Sequence, residues 1–505
     1  MTTHQTIFSF IASTINLIFD PPQPPLFKGG EVILISDPPQ TLLNKRGGVI
    51  LISDPPQTLL NKRGGVILIS DPSQPLLHKK RNLIFINLIA LIISLLITSC
   101  SAVNNTNPDP NITKLTLWHG INPPANREVF QDLVNDFNQT HQDVELEAIY
   151  IGQPDGQLPK ILTAVVGDVP PDMLWFVPQL TGQLVALDAI RPLDDWLDRS
   201  PLKEEIDPIL LESMELNDRI WSIPFATNNA GIFYRPSLFE KAGIERTPKT
   251  WEELEATAEK LTQDFDQDGL IDQYGMFLSL GKGEWTVFTW LPFVYSAKGE
   301  LLNKNQQPNL VNEGTIAALN FGANLVNKNW ATLSAPERGY ELDNFLSGRA
   351  AMQVTGPWTL GQLQGMDIDY DVFPFPQKAQ SAAVVGGENL FVFKTNSERE
   401  KACLKFLEYV LSEKFQTEWA LRTGYLPINV KSRNSEKYQE FVEDNPVLEV
   451  FLEQMKVAKV RPIIANYSRL SENFGRAIEA SLLEKKTPEQ ALKESQNRLE
   501  LVFQD

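Results

Sequence analysis

The chain of 505 residues carries 45 Lys plus Arg against 63 Asp plus Glu, a formal net charge of −18, and no basic face is visible that could neutralise nucleic-acid phosphates. That length exceeds one ordinary domain and suits two lobes with separate cores. Two cysteines, Cys100 and Cys403, and four scattered histidines (His4, His78, His119, His141) exclude a disulfide scaffold and a zinc cluster.

In chain order, residues 1–81 form a repeat-containing leader. Asp20-Pro21-Pro22-Gln23, Asp37-Pro38-Pro39-Gln40, Asp54-Pro55-Pro56-Gln57 and Asp71-Pro72-Ser73-Gln74 recur every 17 residues. A solenoid rung needs a stack of neighbours and caps, and nothing comparable follows. The leader reads as translated repetitive DNA ahead of the true start and is set aside from the fold. Lys79-Lys80-Arg81, the apolar run 83–97 and Thr98-Ser99-Cys100 then describe a secretion signal over 82–99, too short for a comfortable membrane span. Ile97-Thr98-Ser99-Cys100 resembles a bacterial lipobox, so the mature chain would begin at an acylated Cys100 held at a membrane surface; a plain N-terminal anchor is the alternative. Residues 100–112, rich in Asn, Pro, Ser and Asp, read as a tether that cannot bury enough apolar area to order itself.

Folded sequence begins at Lys114-Leu115-Thr116-Leu117-Trp118, which alternates like a strand. Residues 127–140 place Val129, Phe130, Leu133, Val134 and Phe137 on one helical face. Residues 144–150 alternate again, 158–166 are helical, and Asp172-Met173-Leu174-Trp175-Phe176 is a short apolar strand. Strand, helix, strand, helix, strand is the α/β pattern. Helices are expected over 251–261, 315–326, 398–411 and 488–502, and strands over 220–225, 351–355 and 390–393. Cys403, beside Leu404, Phe406 and Leu407, reads as a small buried hydrophobe rather than a reactive thiol.

Several ordered motifs resemble the extracellular solute-binding proteins of ABC importers, the carbohydrate-type family that contains the maltose-binding and glycerol-3-phosphate-binding proteins. They are Leu117-Trp118-His119-Gly120, Gly167-Asp168-Val169-Pro170-Pro171-Asp172, Ile223-Pro224-Phe225, Ile232-Phe233-Tyr234-Arg235-Pro236 and Pro248-Lys249-Thr250-Trp251. Thr355-Gly356-Pro357-Trp358, Val385-Gly386-Gly387, Thr423-Gly424-Tyr425-Leu426-Pro427 and Lys486-Thr487-Pro488-Glu489-Gln490-Ala491-Leu492 continue them. The resemblance covers nearly all of the mature chain. It implies a two-lobed α/β fold of the periplasmic-binding-protein type (type II), hinged, with an interlobe cleft that closes on a solute. The N-lobe would hold 113–227 plus 377–417 and the C-lobe 228–376 plus 418–505. The implied function is capture of a sugar or sugar-like solute and its delivery to permease subunits with their ATPase, with no catalysis and no required cofactor. A glycerol-3-phosphate or glycerophosphodiester binder is the alternative within the family.

Ten tryptophans suit a sugar cleft, since flat aromatic faces stack on the C–H faces of pyranose rings. Trp196, Trp251 and Trp330 are expected in cores. Trp118 and His119 end the first strand, where α/β folds place ligands. Trp175 ends another strand, and its match in maltose-type members faces ligand. Trp285 and Trp358 fall in loops that correspond to family aromatic contacts. Asp155 and Tyr425 match cleft positions of the glycerol-3-phosphate binders, and Arg469 falls in the stretch where those proteins use an arginine. Asn228 and Asn229 follow the apparent hinge strand, where an amide donates and accepts together, and Gly386 and Gly387 would let backbone approach the ligand. Separately, Asp264, Asp266, Asp268 and Asp272 stand at loop positions 1, 3, 5 and 9, with Gly269 at 6, as in an EF-hand loop. Position 12 is Gly275 where a bidentate Glu belongs, so a structural calcium site and a plain Asp-rich turn both remain open. Two rival functions stand outside this family. A glycan-active enzyme would need opposed carboxylates, but Asp194 and Asp195 are chain neighbours; an adhesin would bind no small solute.

Overall fold

The computed structural model describes residues 112–152, 154–335, 342–363 and 365–503, with the side chains of Pro154 and Asp155 outside that description. The leader, the signal, Cys100 and the tether up to residue 111 lie outside the described residues.

In chain order the strands of the two main sheets are β1 (Thr113–His119), β2 (Val144–Tyr150), β3 (Met173–Phe176), β4 (Ser222–Pro224), β5 (Gly231–Tyr234), β6 (Tyr274–Leu278), β7 (Ala331–Leu333), β8 (Ala350–Thr355), β9 (Asp371–Phe373) and β10 (Asn389–Val392). The first sheet runs β2-β1-β3-β10-β4 and the second β9-β5-β8-β6-β7. In the first, β1 pairs parallel with β2 and β3, while β10 returns antiparallel against β3 and β4. The strand that completes the N-terminal sheet therefore comes from about 170 residues downstream, after the whole second sheet has been built.

The helices follow from their stripes and caps. Helix α1 (Pro124–Thr140) starts on a proline at its first turn and buries Val129, Phe130, Leu133, Val134 and Phe137 against the first sheet. Each such side chain contributes about 1.5–3 kcal/mol of burial. Helix α2 (Pro154–Val166) follows β2. Helix α3 (Trp251–Leu261) is capped by Thr250, whose hydroxyl accepts the Glu253 amide at 3.2 Å. Asn312 caps α5 (Glu313–Asn327), after α4 (Glu284–Ser296), and Asn396 caps α6 (Ser397–Leu411). Helix α7 (Glu413–Thr423) stops at Gly424, which adopts φ 81°. Helix α8 (Tyr467–Leu482) precedes α9 (Pro488–Val502), which opens with a reciprocal Thr487–Gln490 capping box. Four of the expected helices thus end within two residues of their expected bounds.

Asp172 explains the motif before β3. It is 1 % exposed, accepts the Thr116 amide at 2.7 Å, and takes Arg399 Nε at 2.5 Å. One carboxylate thereby ties β1, the β3 loop and α6 together. Cys403 is fully buried in that neighbourhood, and burial pushes its thiol up, as expected of a packed rather than a reactive cysteine. Trp196 and Trp251 are core residues, whereas Trp330 is half-buried with Lys328 Nζ 4.1 Å over its ring.

Apolar clusters form around the two sheets, and the first of them also takes in Phe233 of β5 and Val372 of β9 from the second sheet. Three chain segments run side by side between them: the stretch after β4, the stretch before β10, and the stretch after α7. Leu426 and Thr227 exchange backbone hydrogen bonds of 3.0 and 3.3 Å, and Gly386 and Asn228 exchange bonds of 2.8 and 3.3 Å. So few, laterally bonded connections are the arrangement of a hinge.

Candidate functional site

A cleft of about 480 Å³ opens beside these crossing segments. Trp175 at the end of β3, Trp285 and Phe288 on the first two turns of α4, Trp358 on a 3₁₀ turn after β8, and Tyr425 after Gly424 all line it. The rings touch. Trp285 and Trp358 meet edge-on at 5.7 Å and 80°, and Trp358 lies 6.4 Å from both Phe288 and Tyr425. Trp358 packs against both apolar clusters. Its ring lies over the backbone of Gly356, where an added Cβ would meet it at 2.1 Å. Trp285 was expected in a loop; it is helical, because Gly283 and Glu284 start α4 one residue before it.

Asn228, Gly386 and Gly387 line the same cleft. The glycines are required by the crossing itself. A Cβ on Gly386 would meet Asn228 Oδ1 at 2.1 Å, and one on Gly387, at φ +108°, would meet the Ala226 carbonyl at 2.2 Å.

Four expected ligand groups sit elsewhere. Trp118 packs beside Ile161 and Leu174 in a third apolar cluster. His119 is 4 % exposed against Phe130, and burial, helped by the Arg127 charge, lowers its pKa to about 4. Asn229 is fully buried, donating to the Phe451 carbonyl at 2.8 Å and accepting from Gln454 at 2.9 Å. Its neighbour Asn228 takes the cleft, since successive side chains of an extended segment point to opposite sides. Arg469 is on the exposed face of α8 and outside the lining. Asp155 begins α2, and its side chain lies outside the described atoms.

The arginine of the cleft is Arg461, which the sequence reading missed. It is 3 % exposed and bonds Glu284 Oε1 at 2.5 Å through Nη1, with its guanidinium 5.0 Å from the Phe288 ring. Glu284 also accepts the Tyr467 hydroxyl at 2.8 Å and the Ser471 hydroxyl. Among the described residues, Glu388 and Asp343 are the other charged groups of the lining. Burial raises the Glu388 carboxyl to about 7, against the pull of Arg461, and burial together with the Glu388 charge drives Tyr425 up. No linear spacing announces these groups, because Glu284 and Arg461 stand 177 residues apart.

Away from the cleft, one carboxylate oxygen from each of Asp264, Asp266 and Asp268 falls within 4.8 Å of the others. Asp264 accepts the Gly269 amide, Asp266 that of Asp268, Asp268 that of Leu270, and Asp272 that of Phe265. Asp272 is therefore turned to the loop backbone and stands outside the converging trio. Asp194, considered for catalysis, is bonded to the Ile220 amide at 2.9 Å and to Arg219 at 3.0 Å, while Asp195 is exposed.

The cleft geometry agrees with comparison to known proteins. The model of the family described as "Bacterial extracellular solute-binding protein" matches residues 132–446. The chain is 24% identical over 423 residues to the sn-glycerol-3-phosphate-binding periplasmic protein UgpB of Yersinia pestis, covering 78% of this chain and 92% of that protein. It is 24% identical over 360 residues to the maltotriose-binding protein of Pyrococcus abyssi, covering 69% and 73%. Among solved structures, the GacH receptor of Streptomyces glaucescens superposes with a TM-score of 0.69 at 22% identity, covering 78% of this chain and 99% of that one. UgpB of Mycobacterium tuberculosis, solved with glycerophosphocholine, gives 0.69 at 19% identity, covering 77% and 98%. Both solved neighbours share the two-lobed type II fold. By its matched sequence and its architecture, the chain belongs to the bacterial extracellular solute-binding protein family.

Proposed function

We propose that the cleft captures a carbohydrate or carbohydrate-like solute for delivery to an ABC permease and its ATPase. The observation that carries this reading is the aromatic wall of Trp175, Trp285, Phe288, Trp358 and Tyr425 around a cavity of about 480 Å³. Apolar ring faces beside convergent polar groups are how proteins grip sugars. The side-by-side crossing segments support the reading further, since a hinge turns ligand occupancy into a shape that a permease can sense. The wall and the buried Arg461–Glu284 pair make a binding surface, and no bond-breaking step is assigned to it.

The protein is read as anchored by a lipid on Cys100 at the periplasmic face of the cytoplasmic membrane or at the cell surface, from the sequence ending Ile97-Thr98-Ser99-Cys100. Among the described residues no helix is long and apolar enough to cross a membrane. A thermal-shift screen against a carbohydrate panel tests the function. The expected result is a raised unfolding midpoint with at least one neutral sugar, by mass action on the native state. A panel without any response would overturn the reading.

A secondary reading places structural calcium in the Asp264–Asp268 loop, supported by the convergence of three carboxylates. Calorimetry of chelator-stripped protein is expected to show calcium uptake that Asp266→Asn removes, and silence on titration would retire the site.

A further inference from the structure

Glu388 differs from the other acids of the cleft. It follows the Gly386–Gly387 bend, and its backbone is fixed by the Phe225 amide, which donates to its carbonyl at 2.9 Å. Its side chain lines the cavity, yet Oε2 is closed off from bulk solvent and has no hydrogen-bond partner among the described residues. A buried acceptor without a donor is costly in an empty site and is satisfied if a ligand supplies the donor.

The charges around it restrict that ligand. Arg461 faces Glu388, but its Nη1 is committed to Glu284, which Tyr467 and Ser471 also bond. Tyr425 faces it as a neutral phenol, and Asp343 lines the same cavity. Among the described residues the lining thus sets one guanidinium against the carboxyl groups of Glu284, Asp343 and Glu388. A phosphomonoester, near −2 at neutral pH, would meet three carboxyl groups and, among the described residues, one guanidinium whose Nη1 is paired with Glu284 and whose Nε alone is unpartnered. A hydroxyl or a protonated amine would meet an acceptor that lacks a partner.

Resting on the carbohydrate reading above, we propose that Glu388 sets the specificity of the cleft. Its Oε2 accepts a hydrogen bond from a hydroxyl or ammonium group of a phosphate-free solute, and its charge turns phosphomonoesters away. Because the carboxyl titrates near 7, the acceptor gains its charge as pH rises through neutrality, and capture strengthens in the same direction.

Calorimetry at pH 5.5 and 8.5 with maltose, trehalose, D-glucosamine and sn-glycerol-3-phosphate tests this. The expected result is binding of at least one phosphate-free probe, about tenfold tighter at pH 8.5, and none of the phosphate ester. Glu388→Gln is expected to lose about tenfold at pH 8.5 and to flatten the pH profile. Glu388→Asp, one methylene shorter, should weaken binding yet keep the slope. Unfolding curves of the empty variants establish that both fold. Sugar binding that Glu388→Gln leaves unchanged in strength and pH profile would overturn this proposal while sparing the carbohydrate reading. Tight capture of sn-glycerol-3-phosphate would overturn it as well. If no phosphate-free probe binds the parent protein, the carbohydrate reading falls first and this inference with it.

Discussion

Trp358→Ala is expected to weaken sugar capture by at least an order of magnitude while leaving the protein folded. The ring sits where the two apolar clusters approach one another, touching Trp285, Phe288 and Tyr425. A sugar stacked there would contact both lobes through a single indole, so its removal takes away stacking surface and part of the coupling between solute and hinge. Truncated aromatic anchors of this kind cost about 2–4 kcal/mol, which is roughly thirty-fold to a thousand-fold in affinity. Trp285→Ala should lose a similar amount, since it forms the perpendicular wall. The ring is half-buried rather than central to either core, so the unfolding midpoint of the empty protein should fall only modestly. Gly356→Val offers a test that leaves every cleft side chain chemically intact. Gly356 has φ −141°, which any residue adopts, but a Cβ would meet the Trp358 ring at 2.1 Å and displace it. Isothermal titration with a sugar that binds the parent protein checks all three. Unchanged affinity in Trp358→Ala would remove the aromatic wall from the binding mechanism.

Much of the scaffold was legible because it is built locally. Alternation in 113–119 and 144–150 announces β1 and β2, and Thr250, Asn312, Asn396 and Thr487 mark helix starts through short-range side-chain bonds. The cleft was legible where a residue matched or adjoined a stretch resembling the family, as with Trp175, Asn228, Trp285, Trp358, Gly386, Gly387 and Tyr425. Its charged floor was not. In sequence, Glu284 looks like a solvated helix start, Glu388 like a turn residue after two glycines, and Arg461 like a loop cation before Pro462. Their burial is created by segments that meet only after both sheets have formed. The same logic misdirected the choice of arginine. Arg469 and Arg461 are eight residues apart, but α8 turns Leu470, Ser471 and Phe474 inward and leaves Arg469 in solvent.

Arg461→Met is the substitution with the largest expected loss of stability. Methionine fills similar volume against Phe288, so the packing penalty is small. Electrostatics decide the outcome. The change takes from Glu284 its bond to the Arg461 guanidinium, while the hydroxyls of Tyr467 and Ser471 stay, and leaves Glu388 without the cation that opposes its desolvation. Removing one partner of a buried ion pair costs about 3–5 kcal/mol, because the remaining charge stays buried. The pH dependence has a definite sign. A carboxyl whose folded pKa lies above its unfolded value binds more protons in the native state, so stability falls as pH rises between the two values. Glu388 already titrates near 7, against about 4.3 for a free glutamate, and loss of Arg461 raises it further. The deficit should therefore be smallest near pH 5 and largest above pH 8. Denaturant unfolding of the empty protein at both pH values, with Glu284→Leu/Arg461→Met alongside, checks the argument. The double variant should recover a substantial part of the loss, since it removes the orphaned charge together with its partner. A single-variant deficit below about 1 kcal/mol, within the range of an exposed pair, or one that does not change with pH, would mean that Arg461 does not hold this acidic floor together.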